Sequence, residues 1–250
     1  MLTTPLYKKR AELLSKIETF WPLVLEQAPP EIDQYIQPSD SALLLSSLTS
    51  LSVRNFEITD PDADAGGDPR SIAITLEFSD NEYFEDKVLE KKFWYRRHHD
   101  GWSGLVSEPV KIHWKKGKDL TEGLLDLVVK VWEAEQSANG KEGLSKAQEA
   151  LEKKIEGTGM GGVSFFNWFG FIGRRVSKEA SDAANKREEA RRKGENVPEV
   201  PITEEEEEKE DREMSLEIFP DGDDLAIAVA DDLWPGAIKY FSEFTIACGF

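Results

Sequence analysis

The stretch Ile72-Ala73-Ile74-Thr75-Leu76-Glu77-Phe78 decides the fold. Ile72, Ile74, Leu76 and Phe78 alternate without a break, and a period of two places them on one face of a β-strand. The same period continues on both sides. Upstream, Leu51, Val53, Phe56 and Ile58 suggest a strand with one irregularity, such as a bulge. Downstream, Leu89, Lys91, Phe93 and Tyr95 share one face of a third strand, and Val110, Ile112 and Trp114 one face of a fourth. Asp60 to Arg70 is turn chemistry, and the remaining gaps have turn length. An antiparallel meander is therefore the simplest topology.

Beyond the strands the period becomes helical. Leu6, Leu13, Leu14, Ile17, Phe20, Trp21, Val24 and Leu25 mark an amphipathic helix over 5–25, which Pro22 should kink or split after Phe20. Pro29-Pro30 ends it, and Ser39 or Asp40 caps a short helix over Ala42 to Leu48. Asp119 with Glu122 resembles a capping box opening a helix through Leu124, Leu125, Val128 and Trp132. A charged helix follows over 137–156, broken by Gly157 to Gly162. Ser164 to Phe169 is densely aromatic. Residues 174–193 hold eight Lys/Arg against four acids. Leu225 to Leu233 reads as an apolar helix, and Pro235 starts another.

Charge is unevenly distributed. The 250 residues carry a net −18, and residues 199–224 alone hold 13 acids against Lys209 and Arg212, a net of −11. Such a block keeps its water, repels itself and is expected to hold its segment extended. On composition alone it is a solvated linker; as a functional element it attracts polycations. A pI near 4.7 argues against direct nucleic-acid binding. Cys248 stands alone, so no intrachain disulfide forms, which fits a reducing compartment. No secretory signal is read at the N-terminus, and no apolar run approaches the ~20 residues of a membrane span.

Catalytic and metal patterns are weak. His98 and His99, adjacent on a strand, point to opposite faces, and with His113 read as surface histidines. Asp60, Asp62 and Asp64 start like an EF-hand loop, but Ala65 stands where glycine is needed and Ser71 where the bidentate glutamate belongs. Gly159, Gly161 and Gly162 follow no strand and precede no Lys-Ser/Thr, so they form no phosphate loop. Nothing points to catalysis, a cofactor or a metal.

Four segments in order resemble the nucleosome assembly protein family, in its SET-like branch. They are Leu6 to Arg10 with Phe20-Trp21-Pro22; Phe78 to Phe84 with Lys87-Val88-Leu89; Ile112 to Thr121; and Ser164 to Phe169, paired with Asp231-Asp232-Leu233-Trp234-Pro235. The resemblance implies an α+β fold: an N-terminal helix leading into a four-stranded antiparallel sheet backed by helices, the earmuff-type domain. Residues 1–20 would be a shortened dimerisation-type helix. Residues 21–250 would be the histone-binding domain, with a charged, flexible insertion at about 174–215. The resemblance also implies a non-enzymatic nuclear chaperone for core histones, shuttling with the cytoplasm. The alternative is a regulatory subunit of a histone acetyltransferase, which one fungal member partners, or a phosphatase inhibitor.

Expected histone contacts are Glu204, Glu205, Glu206, Glu207, Glu208, Glu210 and Asp211 as a mobile clamp. Asp223, Asp224, Asp231 and Asp232 add acids on a helix beside the sheet. The conspicuous aromatics, Trp168 and Trp234 among them, are expected to be packing residues. Arg187 and Arg191 to Lys193 form a loose import-signal pattern, or a basic helix that folds back onto the acids. The family's first helix is usually longer, so a monomer or weak homodimer is expected.

Overall fold

The computed structural model describes residues 4–60, 67–137, 141–157, 163–198 and 201–247. Asp62, Asp64, Ala65, Gly159, Gly161, Gly162, Glu199 and Cys248 lie outside the described residues. In chain order the elements are α1 (Thr4–Leu14), α2 (Phe20–Glu26), α3 (Pro30–Asp33), α4 (Pro38–Ser47), β1 (Leu48–Arg54), α5 (Phe56–Thr59), β2 (Ile72–Phe78), β3 (Val88–Arg97) and β4 (Ser103–Ser107). Then come α6 (Leu124–Gln136), α7 (Lys141–Gly157), a 3-10 turn (Phe165–Gly170), α8 (Lys178–Arg192), α9 (Glu204–Ser215) and α10 (Gly222–Ala228). A π turn (Val229–Leu233) leads into α11 (Trp234–Ala247).

Among the described residues the strands form one antiparallel sheet in the order β1-β2-β3-β4. Leu51 pairs with Leu76, Leu76 with Leu89, and Ile72 with Phe93, so the alternating apolar residues share one covered face. The meander and the third strand stand as read. The first strand is shorter than expected. Its irregularity falls between Leu48 and Ser50, and after Arg54 the chain turns into α5. Phe56 therefore leaves the inner face and packs edge-on against Trp94, with ring centroids 5.6 Å apart.

The fourth strand is a correction. β4 is Ser103–Ser107, with Leu105 opposite Tyr95 and Val106 opposite Trp94. Val110, Ile112 and Trp114 lie outside it. Pro109 has no amide proton to give a ladder. Beyond it the Val110 amide donates to the Phe169 carbonyl, and Trp114 makes an isolated bridge to Phe84. The segment thus packs on the aromatic turn rather than on β3.

That turn fills the covered face of the sheet. Phe165, Phe166, Trp168, Phe169 and Phe171 are buried. Phe93 stacks on Trp168 and Phe171, with centroids at 5.5 and 6.0 Å. Two charged side chains, both fully buried, fix its position. Lys91 Nζ donates to the carbonyls of Glu108, Phe169 and Phe171 at 2.9, 3.1 and 2.9 Å. Burial pushes this ammonium down to about 7, against the opposing charges of Glu217 and Glu108. Asp40 accepts from the Gln37 amide, the Ser164 hydroxyl and the Phe165 amide, at 3.0, 2.6 and 2.7 Å. Gln37 rather than Ser39 or Asp40 is the N-cap of α4, and Asp40 sits at the third helical position, completing a capping box.

Two helix starts also differ. The N-terminal helix breaks at Ser15–Thr19, before Pro22, and Thr19 has φ 60°. Pro22 then falls in the first turn of α2, where proline costs no helical hydrogen bond. Asp119 accepts from the amides of Thr121 and Gly123, so it closes the turn before α6, and Glu122 makes no capping box.

The aromatics divide by burial. Trp168 is 1% exposed and its Nε1 donates to the Gly222 carbonyl at 2.8 Å. Trp234 is only half-buried at the edge of the core, stacked on the Tyr7 ring at 4.2 Å, with the Arg10 guanidinium 4.7 Å from its ring and 4.5 Å from that of Tyr7. Trp168→Ala should therefore cost about 3–5 kcal/mol, and Trp234→Ala about 1–2 kcal/mol, mainly through loosened docking of α1. Urea denaturation of both variants checks this. Equal losses would mean that the Tyr7–Trp234–Arg10 stack is as integral as the core.

Candidate functional site

The acidic block is a helix. Thr203 caps α9: its hydroxyl accepts from the Glu206 amide at 3.2 Å, and the Glu206 carboxylate accepts from the Thr203 amide at 3.0 Å. Glu204, Glu205, Glu206 and Glu207 fill the first turn, where the helix dipole favours negative charge. Glutamate and lysine are good helix formers. Cap, dipole and propensity together outweigh the self-repulsion that suggested an extended segment.

One face of α9 is turned inward. Glu204 to Glu208 and Asp211 are exposed, whereas Glu210 and Glu213 are half-buried, as is Glu217 beyond the helix. Their spacing, i, i+3 and i+7, is that of a single helical face. Glu217 accepts from the Ile172 and Gly173 amides, both at 3.0 Å. Glu210 receives Arg174 at 2.6 Å, and the same guanidinium reaches Asp100 at 2.7 Å in the β3–β4 turn. Arg174 also lies 5.3 Å over the Trp102 ring. Burial would raise Asp100, but the hydrogen bond from Arg174, the Trp102 amide and the Arg174 charge outweigh it and hold Asp100 down at about 2.

The acids expected to act together fall into three places. Glu204, Glu205, Glu206, Glu207, Glu208, Glu210 and Asp211 share α9. Asp223 and Asp224 open α10, and a 330 Å³ cavity brings Asp223 together with Glu210, Glu213 and Glu217. Asp231 and Asp232 lie in the π turn. Asp231 faces a groove lined by Tyr7, Arg10 and Trp234, and Asp232 accepts from the Tyr240 hydroxyl at 2.7 Å. That pair belongs to the α1–α11 junction and not to the α9 surface.

Sequence reading missed Glu213, Glu217, Asp100, Trp102 and Arg174. The period within Glu210, Glu213 and Glu217 was a usable signal; the long-range partners had none. The basic stretch divides. Arg174 and Arg175, which precede α8, bond to Glu210 and Glu135. The helix itself packs on β3, where the Arg97 amide donates to the Ser181 hydroxyl at 3.0 Å. Arg187, Arg191, Arg192 and Lys193 are exposed. His98 and His99 stand just past β3 with ring centroids 4.1 Å apart, not on opposite strand faces. Among the described residues no group of three or more His, Cys, Asp or Glu could hold a metal ion, and no helix is long and apolar enough to cross a membrane.

The family model "Nucleosome assembly protein (NAP)" matches residues 4–244. The chain belongs to the nucleosome assembly protein family. A Schizosaccharomyces pombe relative of the nucleosome assembly group is 30% identical over 242 residues, spanning 97% of this chain and 69% of its own length. NAP1-related protein 2 of Arabidopsis thaliana is 25% identical, over 97% of this chain and 64% of its own. The crystal structure of Ccp1 superposes with a TM-score of 0.55 at 25% identity, covering 97% of this chain and 82% of that one. Vps75, described as a histone chaperone, shares the fold at a TM-score of 0.52 and 20% identity, over 97% and 85% of the two chains. NAP-family chaperones are generally non-enzymatic and belong to chromatin.

Arg174→Gln should lower stability by about 1–3 kcal/mol, because Asp100 and Glu210 lose their shared cation. The Asp100 carboxyl is depressed in the folded state. Its contribution is therefore full above the ordinary carboxylate pKa near 4 and fades as pH falls toward 2. The melting-temperature gap between wild type and Arg174→Gln should accordingly narrow between pH ~4 and ~2. A gap that does not change over that range would assign the effect to the Trp102 stack alone.

Proposed function

We propose that this chain is a non-enzymatic histone chaperone of the nucleus, shuttling with the cytoplasm, and that α9 with the start of α10 is its histone-binding surface. The observation that carries this is the exposed row Glu204 to Glu208 with Asp211, presented on a helix that Glu210 ties through Arg174 to the β3–β4 turn. Histones expose Arg and Lys that bind DNA non-productively. A fixed acidic surface occupies those groups transiently and raises the rate of encounter by steering. Docking supports specificity: a charge run in solution prefers any cation, whereas a helix held by Arg174 and Glu217 presents its acids in one orientation.

Isothermal titration with core-histone tetramers and dimers tests the reading. Binding should be clear near 0.1 M salt, where charges are screened over about 10 Å, and should weaken strongly toward 1 M, where the length is about 3 Å. Replacing Glu204, Glu205, Glu206, Glu207 and Glu208 by Gln should weaken binding at least about tenfold at low salt. The melting transition should hardly move, since Gln matches Glu in helix propensity and can keep the Thr203 cap. No binding at low salt would remove the chaperone assignment. Tight association with an acetyltransferase that survives these substitutions would instead support the regulatory-subunit alternative, through a folded face.

The same proposal makes the chain a monomer or weak homodimer. The exposed apolar stripe on and after α1 comprises Leu6, Leu13 and Ile17, at 69, 57 and 43% exposure. Among the described residues these three side chains fall short of the ~1,200–2,000 Å² of a stable interface. Light scattering should show mass decreasing on dilution or a constant monomer; a dimer mass independent of concentration would contradict this.

A further inference from the structure

The 330 Å³ cavity beside α9 differs chemically from the exposed acids. Its floor is apolar: Trp102 and Leu105 from the β4 hairpin and Phe171 from the end of the aromatic turn. Its rim is acidic, with Glu213, Glu217 and Asp223 converging from α9, the following turn and α10. The size lies at the lower end of ligand pockets, which run to about 300–1,000 Å³.

The acids differ in how well they are satisfied. Glu217 is used by backbone amides and Glu210 by Arg174. Glu213 has Lys209, 3.7 Å away on a side chain 73% exposed, and lies within the field of Arg175. Asp223 has no cationic partner among the described residues. Burial raises both carboxyls above their ordinary values; for Glu213 the charges of Lys209 and Arg175 offset this in part while nearby acids add to it, and for Asp223 backbone hydrogen bonds offset it in part while Asp224 adds to it. A carboxylate that has lost water and is matched by no fixed, buried cation interacts strongly with one that arrives.

Arg174 shows which cation suits the walls. Its planar guanidinium lies over Trp102 while bonding carboxylates on two sides. A planar, weakly hydrated cation on a long aliphatic stem fits an apolar floor with an acidic rim better than a compact ammonium does. We propose that this cavity takes the arginine side chain of a basic polypeptide segment, with Glu213 and Asp223 binding the guanidinium and Trp102 and Phe171 packing its stem. This rests on the reading of α9 as a histone-binding surface and adds a side-chain-specific socket to it.

The test uses the full chain and Gly/Ser-spaced peptides that carry arginine, lysine or citrulline at the same positions. Fluorescence anisotropy at moderate salt should rank arginine first, lysine several-fold weaker and citrulline without measurable binding. Two variants each remove two charges: Glu213→Gln with Asp223→Asn in the cavity, and Glu18→Gln with Glu26→Gln, exposed acids outside the proposed binding surface. The cavity pair should weaken the arginine peptide at least about tenfold, and the exposed pair no more than about twofold. Equal losses from the two pairs, or equal affinity for arginine and lysine, would overturn the socket and leave diffuse charge as the cause. If a variant melts early, the peptide ranking on the wild-type chain decides alone. Histone binding with equal losses would sink only the socket, whereas absence of histone binding by the wild type would sink the chaperone reading itself.

Discussion

The rest of the molecule depends on how the aromatic turn is held against the sheet. A segment carrying Phe165, Phe166, Trp168, Phe169 and Phe171 must bury its rings, yet its short 3-10 geometry leaves carbonyls facing the interior. Lys91 resolves this by donating three hydrogen bonds from the middle of β3. Asp40 does the reciprocal task at the other end, accepting the Ser164 hydroxyl and the Phe165 amide. Each charge is buried and bonded by backbone groups, although the Phe169 and Glu108 carbonyls accept from the Val110 amide and the Ser107 hydroxyl as well. An unsatisfied buried group costs about 1–3 kcal/mol, so each clamp is strongly favoured once the turn is in place. The same clamps fix the acidic elements: Trp168 bonds Gly222 at the start of α10, and the Ile172 and Gly173 amides hold Glu217 below α9.

Acidity therefore acts here with a defined geometry. The first turn of α9 sets its negative charge on the positive end of the helix dipole, which favours a helix where repulsion alone would favour extension. Arg174 then neutralises the inward side through Glu210 and Asp100, and leaves the outward row to solvent. A net charge of −18 is divided in this way between groups that build the protein and groups free to meet a partner.

Much of the fold was legible in the sequence because β2 and β3 obey a strict period of two over residues with high strand propensity. β4 was not, since Ser103-Gly104-Leu105-Val106-Ser107 carries small residues and borrows its stability from Tyr95 and Trp94 across the ladder. The more hydrophobic Val110, Ile112 and Trp114 imitated a strand because they pack on the aromatic turn with similar spacing. Lys91 was visible as the one polar residue in an apolar alternation, but its three acceptors lie up to 80 positions away. The acidic row was plain from composition, and its helical form could be read from Thr203 and Glu206. The division of Asp223 and Asp224 from Asp231 and Asp232 was hidden, because the π turn brings Asp231 to the α1 groove and Asp232 to Tyr240 of α11. The charged expanse of 174–215 contains α8 and α9 with distinct docking partners, a difference that depends on tertiary contacts alone.

If α9 is the oriented histone-binding surface proposed, its backbone amides must be ordered before histone arrives and further ordered by it. Amide hydrogen exchange of the full chain, with and without core-histone tetramers at moderate salt, tests it most directly. Glu206 to Ser215 should show measurable protection in the free protein and a clear increase in that protection when histone is bound. Exchange at the unprotected rate in the free state, or histone-induced protection confined to other elements, would contradict it.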